Sequence, residues 1–300
     1  MKIKHIILGF GAAAIIAACG EDTGSDITKV EDTDKKTEKE DESKVDRQVF
    51  YQVPTPNEMF GLITKLSDEK PNSAVLNSPD NASNYIDSRS KALNFGIYSA
   101  DLAYLSSFEM DTDALKYFNV INKLSDELQI SSAFEKDFFE RIQDNINNGD
   151  SLMNMSNETY YNAYAYLEEN ERGPTLALVV AGGWLEGIYL VTNLVQDVEK
   201  NQDVVERIVE QQLTLENLMG FLGKYSDDQD VQATIEDFKP LVEAFNAIEL
   251  GESSGSGFQK KGGKMVLGGS GTKVDIKQKD FDKIVEITSK IRNSYTGANS

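Results

Sequence analysis

One apolar segment limits what this chain can fold into more than any other. Residues 174–196 read Pro-Thr-Leu-Ala-Leu-Val-Val-Ala-Gly-Gly-Trp-Leu-Glu-Gly-Ile-Tyr-Leu-Val-Thr-Asn-Leu-Val-Gln and are apolar nearly all round, as in a helix buried inside a bundle. Pro174 suits the first helical turn, where its missing N–H costs nothing. A segment of about 20 apolar residues can also span a bilayer. Glu186, Asn193 and three glycines weaken that interpretation, so we expect a core helix.

Composition and charge narrow the classes of partner. The chain has 300 residues, of which 40% are hydrophobic, and its formal net charge is −20. This length is enough for one large domain or two small ones, with a substantial core. A surface with this excess of negative charge repels the phosphates of nucleic acids and the headgroups of anionic lipids. We therefore expect no nucleic-acid partner.

Cysteine and histidine use restricts the chemistry further. The only cysteine is Cys19 and the only histidine is His5. If the first residues are removed by processing, the mature domain has no imidazole and no free thiol. Zinc sites built from Cys and His, Ser-His-Asp triads and Cys-His pairs are then excluded. Calcium binding or a carboxylate pair stays possible. We expect no cofactor, no metal centre and no enzymatic activity.

The N-terminus has the pattern of a secretory signal. A basic start is followed by an apolar run over residues 6–16 and by small residues, which predicts a signal peptide over 1–18. The ending Ile16-Ala17-Ala18-Cys19 resembles the lipobox of bacterial lipoproteins. That resemblance implies that Cys19 becomes the lipid-bearing first residue of the mature chain. In the sorting rule of such lipoproteins, Gly20 in place of Asp favours the outer membrane, on either its periplasmic or its outer face. The alternative is a cleaved signal with an incidental cysteine.

A polar stretch separates this anchor from the folded domain. Residues 21–47 hold eleven acidic and six basic side chains and almost no apolar ones. Such a stretch has little apolar surface to bury, and nothing offsets the entropy cost of ordering it. We therefore divide the chain into a signal peptide (1–18), a lipidated cysteine with a disordered acidic tether (19–47) and a helical domain (48–300).

Helical periodicity continues through most of residues 48–300. The pattern predicts an all-α bundle of about eight to nine helices, as one bundle or as two repeat-like halves. A capping box at Thr55–Glu58 begins the first helix, and a second box at Ser132–Glu135 begins another. A kink or break is expected at Pro240. Glycine-rich residues 251–272 predict a small hairpin or loop, with 265–267 pairing to 273–276. The other helices are expected at about 82–108, 111–128, 151–169, 174–196, 203–225, 228–250 and 280–295.

The helix predicted over 82–108 parallels the one over 174–196. Both contain Gly-Ile-Tyr, at 96–98 and 187–189, and both have small residues four apart. Gly183 and Gly187 share one face, where we expect a neighbouring backbone to approach closely. An ancient internal duplication and two independently similar core helices both account for the parallel.

Two segments of these helices carry a resemblance to other proteins. The runs Phe-Gly-Ile-Tyr-Ser-Ala-Asp-Leu-Ala-Tyr-Leu and Ala-Gly-Gly-Trp-Leu-Glu-Gly look similar to segments of helical lipoproteins of Gram-negative bacteria. The similarity extends over most of residues 50–300. It implies no activity.

Four polar residues in these two helices form the candidate site. Asn94 and Asp101 lie seven apart in the first, and Glu186 and Asn193 lie seven apart in the second, so each pair shares a helical face. With Arg89 as a further candidate, the set would bind a cation or polar ligand, or form a proton-active pair. The alternatives are a hydrogen-bonded core network and a groove facing water.

These observations favour a non-enzymatic role in the cell envelope. We expect a membrane-tethered lipoprotein that acts as a binding or scaffolding module, with an envelope protein as partner and Cys19 as its anchor. The alternative is a ligand-binding lipoprotein with a pocket between the two core helices, for a lipid, a glycan or a cation.

Overall fold

The computed structural model describes residues 53–63, 71–145, 148–248, 258–261, 264–267 and 276–297. All of them belong to one compact unit. The predicted signal peptide and tether, residues 1–47, lie outside this part of the chain.

Nine α-helices make up most of the described chain, which confirms the all-α prediction. Short 3-10 turns precede α2 and α4, and one two-stranded hairpin stands before α9. The helices are α1 (Pro56–Ile63), α2 (Ser88–Ser107), α3 (Asp111–Glu127), α4 (Phe138–Asp144), α5 (Gly149–Glu169), α6 (Gly173–Thr192), α7 (Gln202–Gly223), α8 (Gln229–Asn246) and α9 (Gln278–Thr296).

Helices α2 and α6 form the centre of the bundle. Every residue of α2 from Ala92 to Ser106 is buried, and α6 is buried over almost its whole length. Helices α1, α5 and α9 contact both members of this pair, whereas α3 contacts α2, and α7 and α8 contact α6. Buried hydroxyls of α2 bond to their own helix, as when Ser99 Oγ donates to Phe95 O over 2.7 Å. Such hydroxyls can therefore be buried with their hydrogen bonds made inside the helix.

Glycines let these two central backbones touch. A side chain at Gly96 would collide with the carbonyl oxygen of Val179, and a side chain at Gly182 would collide with the carbonyl oxygen of Leu93. The expected approach at the Gly183–Gly187 face is therefore only partly correct. An added Cβ at Gly183 would touch Gly96 O at 3.4 Å.

Gly187 meets a different neighbour. An added Cβ there would lie 3.1 Å from the end of the Met59 side chain, which belongs to α1. The two glycines of the repeated Gly-Ile-Tyr therefore have different environments, since Gly96 faces backbone and Gly187 faces a flexible thioether. Sequence spacing shows which residues share a face, whereas the arrangement of neighbouring helices decides what that face touches.

Local capping signals were predictive at one site and wrong at another. Thr55 N donates to Glu58 Oε2 over 2.7 Å and Glu58 N donates to Thr55 Oγ1 over 3.2 Å, which confirms the first capping box. The predicted box at Ser132–Glu135 does not form, because residues 131–133 make a 3-10 turn and α4 begins only at Phe138. Glu135 instead pairs with Arg141, at 3.0 Å.

Two further helix predictions need correction. Helix α2 begins at Ser88 rather than near 82, because the Asp87 carboxylate accepts a hydrogen bond from Ser90 N at 2.8 Å and caps the helix there. Helix α8 continues through Pro240 without a break. Proline has no backbone N–H, so the carbonyl oxygen one turn before it loses its partner within the helix. Pro240 lies on the exposed side of α8, where water can bond that oxygen instead.

The C-terminal hairpin has a different strand partner from the predicted one. Lys264–Leu267 pairs antiparallel with Phe258–Lys261, which precedes it, and Phe258 stands opposite Leu267. The Gly-Gly dipeptide between these strands favours a two-residue turn, a stronger local signal than the longer glycine-rich stretch that follows. The partner expected over 273–276 lies mostly outside the described residues.

Helix α6 is long and apolar enough to cross a membrane by length and composition. In this structure, almost the whole helix is buried inside the protein. It packs as a core helix of the bundle.

We predict that Gly182→Ala lowers the free energy of unfolding by about 1–3 kcal/mol, the usual range for overpacking. The added methyl group would collide with backbone, which cannot move aside as a side chain can. Urea denaturation of the full-length protein measures the change.

Gly220→Ala in α7 is the matched control, because nothing lies within 4 Å of its added Cβ. The control should raise stability by about 0.5–1 kcal/mol. Equal midpoints for Gly182→Ala and the parent would contradict the backbone contact.

Candidate functional site

A charged cluster lies where α2, α6 and α9 meet. Asp101 of α2 and Glu186 of α6 are fully buried, and Arg292 of α9 is 4% exposed. Arg292 donates from Nε to Glu186 Oε2 and from Nη2 to Glu186 Oε1, both over 3.0 Å. This two-bond geometry is the strongest form of an Arg–carboxylate pair. We call Asp101, Glu186 and Arg292 the buried triad.

The Arg292 guanidinium has further partners inside the protein. Its Nη2 also donates to the carbonyl oxygen of Val75 over 3.2 Å, and its Cζ lies 4.6 Å from the centre of the Tyr189 ring. Burial alone would lower the pKa of the guanidinium, but Glu186 and Asp101 overcome this effect and hold that pKa above its usual value. Arg292 therefore stays charged, and its hydrogen-bond partners all lie within the bundle.

Asp101 is the second carboxylate beside a single cation. Burial raises its pKa well above the usual value, and the neighbouring Glu186 raises it further, while Arg292 acts in the opposite direction. Its Oδ2 accepts a hydrogen bond from Asn77 N at 3.3 Å. Its Oδ1 has no hydrogen-bond partner among the described residues. The raised pKa favours the neutral form of Asp101 beside the Glu186–Arg292 pair.

Amides and hydroxyls extend the triad into a larger network. Asn77 Nδ2 donates to Tyr85 OH over 3.0 Å and to Asn94 Oδ1 over 3.3 Å. Asn94 Nδ2 in turn donates to the carbonyl oxygen of Tyr295 in α9 over 2.9 Å. Burial raises the pKa of Tyr85 and of Tyr98, so both hydroxyls stay neutral donors. The network joins α2, α9 and the loop before α2 by fully buried hydrogen bonds.

The structure brings together three of the four predicted site residues. Asn94, Asp101 and Glu186 converge within this network. Asn193 does not join them, because α6 ends at Thr192 and leaves Asn193 exposed as the cap residue, where its Nδ2 donates to Tyr189 O over 2.8 Å. Helical spacing places residues on one face only as far as the helix continues.

Arg89, the cation considered from sequence, belongs to a different cluster. Its Nη2 lies 2.6 Å from Asp237 Oδ2 and its Nε donates to Thr234 Oγ1 over 3.0 Å, so it joins α2 to α8. Sequence analysis missed Arg292, although one signal was present. Its position falls on the inward stripe of α9, between the buried Thr288 and Tyr295. A charged residue on a buried stripe indicates a buried partner.

The triad is closed to solvent and is paired within the chain. Its carboxylates are shielded from solvent, and the position that a bound cation would take is filled by the guanidinium. Among the described residues, no group of three or more His, Cys, Asp or Glu side chains is placed to hold a metal ion. The arrangement fixes α9 against α2 and α6.

We predict that Asp101→Asn makes the protein more stable relative to the parent as pH rises. Above about pH 4 the unfolded Asp101 releases its proton, whereas the folded state keeps it. Each further pH unit therefore lowers the free energy of unfolding of the parent by up to about 1.4 kcal/mol, until the pH passes the raised pKa. An Asn side chain still donates to Glu186 but carries no such proton. Urea denaturation between about pH 4 and 8 measures the difference.

Its control is Asp150→Asn, at an exposed position. That variant should differ from the parent by a constant amount across the same pH range. A stability difference for Asp101→Asn that does not change with pH would contradict a proton held at this site.

We predict that Arg292→Met destabilises the protein by about 3–5 kcal/mol, because it leaves Glu186 buried without its counter-ion. Arg207→Met, at a partly exposed pair with Glu210, should cost less than about 1 kcal/mol. Adding Glu186→Gln to Arg292→Met should recover much of the loss. If the double variant were as unstable as the single one, packing of the Arg292 side chain rather than charge would be the cause.

Comparison with known proteins gives no relative for this chain. No protein-family model, no curated protein and no solved structure matches it. The chemistry of the site therefore follows from its own contacts, which are those of a closed, charge-balanced network.

Proposed function

We propose that this chain is a lipid-anchored, non-enzymatic binding or scaffolding module of the bacterial cell envelope. One observation carries the non-enzymatic part. The two buried carboxylates that the sequence offers for chemistry are shielded from solvent, and Glu186 is paired with Arg292 of the same chain. Groups used in this way stabilise the fold, so the domain acts through its surface.

The N-terminal sequence supports the anchoring part. The lipobox-like Ile16-Ala17-Ala18-Cys19 provides a site for lipid, and Gly20 favours the outer membrane. The acidic residues 21–47 would then separate the helical domain from the bilayer. A tethered domain with a strongly acidic surface suits a protein partner in the envelope.

The ligand-binding alternative has less support from the contacts. A pocket between the two core helices would need space between α2 and α6. Their backbones touch at Gly96 and Gly182, and the polar residues between them are hydrogen-bonded to each other or to α9. A lipid, glycan or cation at that position would have to displace Arg292.

We predict that Cys19→Ser moves the full-length protein out of the outer-membrane fraction on a sucrose gradient, because a domain without acyl chains has no stable hold on a bilayer. The parent should sediment with the outer membrane. Recovery of both forms in the same membrane fraction would contradict lipid anchoring at Cys19.

Chemical cross-linking in whole cells tests the binding role. The parent and Asp101→Asn should give the same cross-linked partner, because Asp101 serves the fold and not a ligand. If Asp101→Asn keeps its stability but loses the partner, the buried site has a direct role and the ligand-binding alternative gains support.

A further inference from the structure

A small pocket lies away from the buried triad, between α1, α6 and α7. Its volume is about 80 Å³. Its buried lining is apolar and consists of Met59, Ile188, Val191 and Ile208. Polar residues contribute its more exposed lining, so an apolar floor lies beneath a polar rim.

Carboxylates outnumber cations at this rim. Glu58 and Glu210 both line the pocket, and Arg207 is the cation among its lining residues. Arg207 is already engaged, because its Nη1 lies 2.5 Å from Glu210 Oε2. Burial raises the pKa of Glu210, Arg207 lowers it, and the negative charge of the neighbouring Glu206 raises it again by a smaller amount. The rim therefore has a surplus of negative charge.

The volume limits what can enter. Pockets for whole small-molecule ligands measure about 300–1,000 Å³, and an engineered cavity of about 150 Å³ accommodates benzene. A space of about 80 Å³ suits one aliphatic side chain, such as a leucine, and not an aromatic ring. Side chains that contribute strongly to a protein–protein contact lie in well-packed pockets from which water is excluded, and the apolar floor offers such a pocket to a small side chain.

We infer that this pocket receives an aliphatic side chain of a protein partner, flanked in the partner by Lys or Arg. The apolar floor buries the aliphatic group, and the carboxylates of the rim attract the flanking cations. A second copy of this chain is disfavoured as occupant, because each copy has a net charge of −20 and like charges repel. This inference rests on the proposed function as a binding module and names the chemistry of its partner.

The test uses three end-blocked tripeptides as probes: Lys-Leu-Lys, Lys-Ser-Lys and Glu-Leu-Glu. Methyl NMR of the full-length chain in zwitterionic nanodiscs follows the side chains of Met59, Ile188, Val191 and Ile208 directly. Lys-Leu-Lys should shift these four sets of methyl signals in a saturable way, with a Kd in the millimolar range expected of one anchor side chain. Lys-Ser-Lys and Glu-Leu-Glu should each bind at least about tenfold more weakly.

Two variants check the site. Val191→Phe fills the floor and should abolish the Lys-Leu-Lys shifts. Glu58→Gln lowers the charge of the rim while keeping the capping box, which accepts Gln, and should weaken binding severalfold. Glu286→Gln on the exposed side of α9 is the matched control and should change nothing. If Val191→Phe fails to fold, Glu58→Gln and the peptide comparison still decide the question.

Several outcomes would overturn the inference. Equal binding of Lys-Ser-Lys would show a general attraction between charges, and equal binding of Glu-Leu-Glu would show that the rim does not select cations. Shifts of the same methyl signals on raising the protein concentration without peptide would show self-association instead. The cross-linking test of the binding role is independent of these results, so a failed pocket leaves that proposal standing on its own experiment.

Discussion

The pairing of Glu186 with Arg292 is the interaction on which the rest of this structure depends. Glu186 lies inside α6, the most apolar of the described helices, where an uncompensated carboxylate would be severely destabilising. Its counter-ion comes from the last helix, 106 residues further along the chain. The centre of the bundle is therefore complete only when α9 is in place. A buried ion pair of this kind gives less stability than an apolar core of the same volume, but it strongly opposes any arrangement that leaves one partner alone.

The close contact of α2 and α6 brings a second carboxylate to the same place. Gly96 and Gly182 let the two backbones touch, and Asp101 then lies beside Glu186 with one guanidinium for both. Burial and the neighbouring Glu186 raise the pKa of Asp101, which favours its neutral form. The same carboxylate holds Asn77 and the loop that precedes α2. Packing and electrostatics are thus two consequences of one helix crossing.

The binding role proposed above would fall to the surface, because the polar groups at the centre of the bundle are buried and paired within the chain. The domain has a large negative charge. The pocket between α1, α6 and α7 is small and is bordered by carboxylates. Pro54, which lines that pocket, stands at the start of the folded domain, just after the acidic stretch that leads back to Cys19. A partner that engages the pocket would therefore bind near the point where the acidic stretch joins the domain. With the lipid anchor proposed above, the domain and a partner in the same membrane would meet at a raised local concentration, so that a weak single-side-chain contact could contribute to recognition.

Much of this architecture follows from local sequence signals. Helical periodicity predicted the all-α fold, the apolar run predicted α6 as a core helix, and Thr55 with Glu58 predicted the start of α1, because each depends on residues within a few turns of one another. The presence of Asn94, Asp101 and Glu186 in otherwise buried helices likewise marked them as a polar set. Tertiary structure alone decided that Arg292 pairs with Glu186, that Gly182 rather than Gly187 meets the backbone of α2, and that Asn193 stays outside. These outcomes depend on which helices become neighbours, and contacts between residues roughly a hundred positions apart determine that choice.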